Sequence, residues 1–308
     1  KLLGVDMLAF EREVPFHRAL KGAFEAFGCE GWGVTSAAPP APRAESRSED
    51  RWLDADTLEV RTVTRTPHGE LTSARRCSRS EPSWAVERPV KDPARDLPAW
   101  LCANLEVDYD AIDFAPALRA REEVGETYLL EFWLGVPFFD FYAEAREGGF
   151  QQGVYDFLEH PAEMEVLRRR YVEHLLRLVR EVCRRTPFES FFIGCTWSCN
   201  SLLGPALWRQ WDKPVIRAVC DEVHRLGRLV HVHFHGRCME TVRDFAEMGI
   251  DCVCPFERPP GGDVDGLAGL HEVAAALAPR GGARGTTFNG NVHTVETLIR
   301  GTADDVRR

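Results

Sequence analysis

The sequence lacks any apolar run long enough to span a bilayer, and no signal-peptide pattern opens it. A helical membrane protein is not the expected reading on that ground. Cysteine is present, ten residues in all, but without the dense framework of a disulfide scaffold, so the thiols are read as reduced in a cytoplasmic protein. Basic charge is in deficit, with 38 Lys plus Arg against 48 Asp plus Glu and a net charge of -10. Such a surface repels phosphate backbones and anionic lipid, so neither nucleic acid nor a membrane is an expected partner. A small-molecule substrate is expected instead, and a homodimer is left open.

What remains is ordinary globular composition, 44% hydrophobic and 28% charged, over 308 residues. That length accommodates one α/β domain over 1–308, with a helical and hairpin extension at 1–100 and the main βα repeats at 101–308. The chain starts at Lys1 and stops at Arg308 inside an expected helix, so both ends are open to continuation, and a further segment could carry site residues.

Along the chain, Phe16 to Phe27 predicts a helix and Ala37 to Asp50, rich in Pro, Ala and Ser, predicts a loop. Thr57 to Thr66 and Glu70 to Arg76 flank Pro67-His68-Gly69 as a hairpin, expected as an appendage at the entrance of the main fold. From Thr127 to Trp133 onward, strands alternate with helices: helix 161–184, strand 190–194, helix 205–226, strand 228–235, helix 239–248, strand 250–254, helix 267–277, strand 285–288 and helix 294–299. Gly227 and Gly249 stand where helices hand over to strands, as left-handed C-caps require. The alternation fits a doubly wound parallel sheet or a closed (β/α)8 TIM barrel, and the barrel is the preferred reading.

The chemistry gathers in Arg228-Leu-Val-His-Val-His-Phe-His-Gly236. On a strand, His231, His233 and His235 share one face while Val230, Val232 and Phe234 share the other. Three readings of the histidine face stand side by side: metal ligands, metal-free acid/base or substrate contacts, and structural imidazoles satisfied by nearby acceptors. Cys238 follows as a thiolate of the kind zinc prefers or as a buried small residue. Glu257, at the next strand end, is a candidate acid/base or carboxylate ligand, in a loop shaped by two prolines and two glycines before Asp263. Cys252 and Cys254 share a strand face, a weak metal signal more often explained by burial. Cys195, Trp197 and Asn200 after one strand, and Asn289 and Asn291 after another, are candidate substrate contacts, each with a packed-loop alternative.

The run Pro205-Ala-Leu-Trp-Arg-Gln-Trp-Asp-Lys-Pro214, then Leu226 to Gly236, Glu247-Met-Gly-Ile-Asp251, Gly290-Asn-Val and Gly301 to Val306 resembles the uroporphyrinogen decarboxylase superfamily. Pro67-His-Gly-Glu-Leu71 and Pro89-Val-Lys-Asp-Pro93 resemble uncharacterised members. The resemblance implies a (β/α)8 barrel and one of two activities: cofactor-independent decarboxylation of a tetrapyrrole, or zinc-dependent methyl transfer between a corrinoid and a thiol. Nothing around Arg12 to Arg18 reproduces the arginine-rich motif of the decarboxylases. The methyltransferases hold zinc with a His-x-Cys-Gly pair, which falls here on His233, His235 and Gly236, and with a later cysteine that this chain ends too early to assign.

The resemblance therefore implies methyl transfer with zinc on His233 and His235, His231 and Glu257 orienting groups or shuttling protons, and a corrinoid or corrinoid protein as methyl donor or acceptor. The alternatives are a metal-free decarboxylase or lyase, in which the histidines protonate a carbanion, and a noncatalytic small-molecule or corrinoid carrier.

Overall fold

The computed structural model describes residues 4–278, 285–290, 297, 300–302 and 304–305. In chain order these form α1 (Met7–Glu13), α2 (Phe16–Phe27), β1 (Trp32–Thr35), β2 (Glu45–Trp52), β3 (Thr57–Thr66), β4 (Gly69–Ser78) and β5 (Trp84–Glu87). Next come α3 (Pro93–Asn104), α4 (Ala115–Val124), β6 (Leu129–Gly135), α5 (Phe138–Ala145), α6 (Gly149–Glu159) and α7 (Pro161–Arg185). The remainder is β7 (Ser190–Cys195), α8 (Pro205–Trp211), α9 (Lys213–Arg225), β8 (Leu229–Phe234), α10 (Val242–Met248), β9 (Cys252–Cys254), α11 (Gly266–Leu277) and β10 (Thr287–Phe288). None of the described helices is long and apolar enough to cross a membrane. The expected helix at 294–299 lies largely outside the described residues, as does Asn291.

The chain divides into two compact units, one of Lys1–Trp133, Tyr142–Met164 and Arg180–Phe188, the other of Leu134–Phe141, Glu165–Val179 and Glu189–Arg308. The first holds a four-stranded antiparallel sheet in the order β2-β3-β4-β5, and β1 paired in parallel with β6. The hairpin expected from the sequence is β3 and β4, joined in register from Thr66↔Gly69 to Thr57↔Ser78. β2 corrects the expected loop, because Glu45 to Asp50 pair with Arg65 to Val60. Every residue of β2 is exposed, so no apolar alternation marks it. The main-chain ladder and hydroxyl pairs such as Ser46–Thr64 and Ser48–Thr62, each at 2.8 Å, hold it in place. α3 starts at Asp92, whose carboxylate accepts the Ala94 N–H at 3.0 Å with Pro93 behind it, and it packs on β3 and β4.

The second unit carries β7, β8, β9 and β10 as neighbours in that order, every pair parallel. This is the strand and helix alternation read from the sequence. Closure into a ring is not among the pairings of the described residues.

The apolar face of β8 behaves as expected: Val230, Val232 and Phe234 are buried, with Phe234 set edge-on against Trp208 of α8 and Phe245 of α10 at 5.5 and 5.0 Å. The single helix expected over 205–226 is two, broken at Asp212. Pro214 is the cause, since its ring would clash with the carbonyl of Gln210 and it offers no N–H to continue the ladder.

Candidate active site

Two aligned strand ends build the site. In the β8–β9 ladder His231 stands opposite Cys252 and His233 opposite Cys254, so the histidine face of β8 meets the thiol face of β9. Cys254 Sγ lies 3.0 Å from His231 Nε2 and 3.1 Å from His233 Nδ1. On its other side His233 presents Nε2 to His235 Nε2 at 2.8 Å, and His235 Nδ1 lies 3.4 Å from Glu257 Oε1. The result is a continuous polar line, Glu257–His235–His233–Cys254–His231, from the half-exposed His235 to the buried His231.

Burial, reinforced by the neighbouring His235 and His231, pushes the His233 imidazole down to about 4, so it is neutral near pH 7. Glu257 is held below the ordinary carboxylate range, chiefly by its hydrogen bond with His235 and, against the cost of burial, by the Gly236 N–H that its Oε2 accepts. Gly236 has φ 74°, and a Cβ there would meet Ser201 Oγ at 2.3 Å, so only glycine lets the chain turn from β8 under this loop. The Ser201 hydroxyl in turn accepts the Arg237 N–H at 2.8 Å.

The loop after β9 is tied by its own hydrogen bonds and to the segment after β8. Glu257 O accepts the Val264 N–H at 3.1 Å, and Asp263 accepts the N–H groups of Cys238 and Met239. Cys238 is buried, and burial together with the adjacent Asp263 carboxylate holds its thiol strongly protonated. The structure thus brings His231, His233, His235 and Glu257 together, while the Cys238 thiol interacts with Asp263.

The candidate substrate contacts follow the two flanking strands, β7 and β10. Cys195 closes β7, fully buried, its thiol pushed well up by burial and by the charges of Asp140 and Asp212. Trp197 follows in a loop pinned by Asp140, whose buried carboxylate accepts the N–H groups of Thr196, Trp197 and Ser198 at 2.7, 3.0 and 2.8 Å. Asn200 donates to Thr241 Oγ1 at 3.0 Å, while its own Oδ1 is buried without a hydrogen-bond partner. Asn289 donates to Cys252 Sγ at 3.7 Å after β10.

Sequence reasoning underrated Cys254 and missed Asp140, Ser198 and Asp212. The signal for Asp140 was a lone carboxylate in the apolar run Phe138-Phe-Asp-Phe-Tyr142. Asp212 accepts from Ser198 Oγ at 2.5 Å and from the Phe139 N–H at 2.9 Å.

The family model for uroporphyrinogen decarboxylase (URO-D) matches residues 120–308, a span that contains all of these groups. The chain belongs to the URO-D family. Its antiparallel sheet, β2 to β5, precedes the part that matches the URO-D model. A solved methyltransferase from Methanosarcina mazei is similar with a TM-score of 0.49 and 14% sequence identity, over 75% of this chain and 62% of that one. This URO-D family chain therefore spans less than two thirds of that protein's length. No curated protein matches the sequence.

Proposed function

We propose that this URO-D family chain is an enzyme that transfers a methyl group between a corrinoid or other activated methyl donor and a thiol, assisted by a metal on His233 and His235. In this reading β7 to β10 belong to a (β/α)8 barrel, and the site lies at the carboxyl ends of its strands. The observation that carries the proposal is the convergence of two imidazole nitrogens, His233 Nε2 and His235 Nε2, 2.8 Å apart, with Glu257 bracing the far nitrogen of His235. A carboxylate behind a ligating histidine fixes its tautomer and raises its basicity.

The donors fit zinc in type, and His233 is already neutral, as a ligand must be. Cys238 fits less well as the third donor, because its thiol is engaged with Asp263. Zinc, when bound, supplies one thing: it lowers the pKa of a coordinated thiol so that the thiolate is available as nucleophile.

The chain's own groups do the rest. Glu257 orients His235; Cys254 and His231 back His233 from the buried side; Trp197, Asn200 and Asn289 are the surfaces offered to substrate, with Asn291 following them in sequence, while the fully buried Cys195 offers it no surface.

A second reading has its own support. The unbroken line from Glu257 to His231 is a proton path, suited to a metal-free decarboxylase or lyase in which a histidine protonates a carbanion. Metal analysis of the purified protein separates the two. Methyl transfer requires that His233→Ala/His235→Ala lose about one equivalent of zinc relative to the parent chain, together with activity. Unchanged metal content in the double variant, or turnover that survives exhaustive chelation, would sink the metal-assisted mechanism.

A further inference from the structure

A different cluster lies in the first unit. The turn between β3 and β4 presents His68, the last turn of α3 carries Cys102, and Glu106 follows four residues on. One ligand atom from each, an imidazole nitrogen, a thiol sulfur and a carboxylate oxygen, all lie within 4.8 Å of one another. No other set of three His, Cys, Asp or Glu side chains among the described residues meets that condition.

Local structure explains the convergence. Leu105 and Glu106 both donate their N–H groups to Leu101 O, at 2.8 and 3.2 Å, which tightens the end of α3 and sets Glu106 above Cys102. In the hairpin, Thr66 Oγ1 accepts the His68 N–H at 3.1 Å and donates to Gly69 O at 3.0 Å, and Gly69 takes φ 132°. The packing of α3 on β3 and β4 brings turn and helix end together. Cys102 is buried, Glu106 half-buried and His68 exposed, so the group is walled by protein on one side and open on the other.

We infer that His68, Cys102 and Glu106 form a binding site for a divalent transition cation of the zinc class, with water completing the coordination. Thiolate and imidazole donors suit zinc and cobalt and serve magnesium or calcium poorly. Tetrahedral zinc needs donors about 3.5 Å apart, so closure of roughly 1 Å suffices, and the exposed His68 side chain is free to supply it. On binding, the Cys102 S–H bond breaks, sulfur keeps the electron pair for the metal and the proton leaves to solvent. Thiolate and carboxylate then neutralise the dication. Arg43, with Nη1 3.4 Å from Glu106 Oε2, is the competing cation for that carboxylate.

Bound metal would clip the hairpin turn to α3 and stabilise this unit. This site is independent of the histidines on β8.

Cobalt(II) titration of metal-free protein carrying His235→Ala tests the inference while disabling the other cluster. A thiolate-to-cobalt charge-transfer band in the near ultraviolet is expected, lost when Cys102→Ser is added. His68→Ala, at an exposed position that leaves folding intact, is expected to weaken the cobalt affinity, and Arg43→Ala to strengthen it. Zinc is expected to raise Tm only where the band forms. Absence of the band, or a titration unaltered by His68→Ala, overturns the assignment.

Discussion

His233 and Cys254 are register partners across the β8–β9 ladder, with imidazole Nδ1 3.1 Å from the thiol sulfur. That thiol also faces His231 Nε2, so its removal deprives two imidazoles, one of them buried, of a partner. Cys254→Ala is expected to cost about 1–3 kcal/mol, from a small cavity plus the lost thiol–imidazole contacts. Cys254→Ser, which keeps a donor, should cost less. Urea denaturation of both variants checks this, and equal stabilities for all three proteins would refute a role for the thiol in holding the histidines.

Glu257 is the only carboxylate in the line running from His235 to His231, and it also accepts the Gly236 N–H. Glu257→Gln keeps an acceptor for that amide but loses the charge that favours the His235 ring as a ligand. On the proposed mechanism, zinc affinity at the histidine pair falls about 10- to 100-fold, the range for loss of such a supporting carboxylate. Competition with a chromophoric chelator measures it. An unchanged affinity would mean that Glu257 serves only the Gly236 turn.

The alternation of strands and helices from β6 onward was legible because buried parallel strands are short apolar runs and their helices carry a 3.6-residue stripe. The histidine face of β8 was legible because strand side chains alternate. Cys254 was not, since its role depends on the β8–β9 register, which no local pattern encodes. β2 escaped because an exposed strand has no apolar face to announce it, only partners on β3. Pro214 did announce the break between α8 and α9, but the strong apolar stripe on both sides masked it. Buried carboxylates such as Asp140 look like any surface aspartate until the amides they serve are seen.

Asp140 anchors the loop that carries Trp197 by accepting three consecutive backbone N–H groups. Asp140→Ala leaves three amides without their acceptor, only that of Ser198 in a buried setting, at a cost of about 1–3 kcal/mol. Loss of near-ultraviolet circular dichroism without loss of helical signal would accompany it, since Trp197 depends on this loop. Asp140→Asn, which keeps one carbonyl acceptor, should recover part of the stability. A fully stable alanine variant with the parent aromatic spectrum would contradict the anchoring role.

Asp212 supplies a pH test away from the histidines. Burial pushes its carboxyl from 3.8 up to about 6, partly opposed by the Ser198 hydroxyl and the Phe139 N–H. Between those two pH values the native chain holds a proton there that the unfolded chain has released. The group's contribution is thus most favourable in acid, declines as pH rises from about 4 through 6, and is constant above. Roughly two pH units correspond to about 3 kcal/mol. Asp96 and Glu123, both lowered to about 2, run the other way and at lower pH, losing their contribution as pH falls below about 4. The difference between parent and Asp212→Asn isolates the Asp212 contribution, because asparagine does not titrate and still accepts the Phe139 N–H. Denaturant midpoints should favour the variant progressively from pH 4 to 7, then level off. A difference that stays flat over this range would show that the Asp212 carboxyl ionises in the folded chain as it does in the unfolded one.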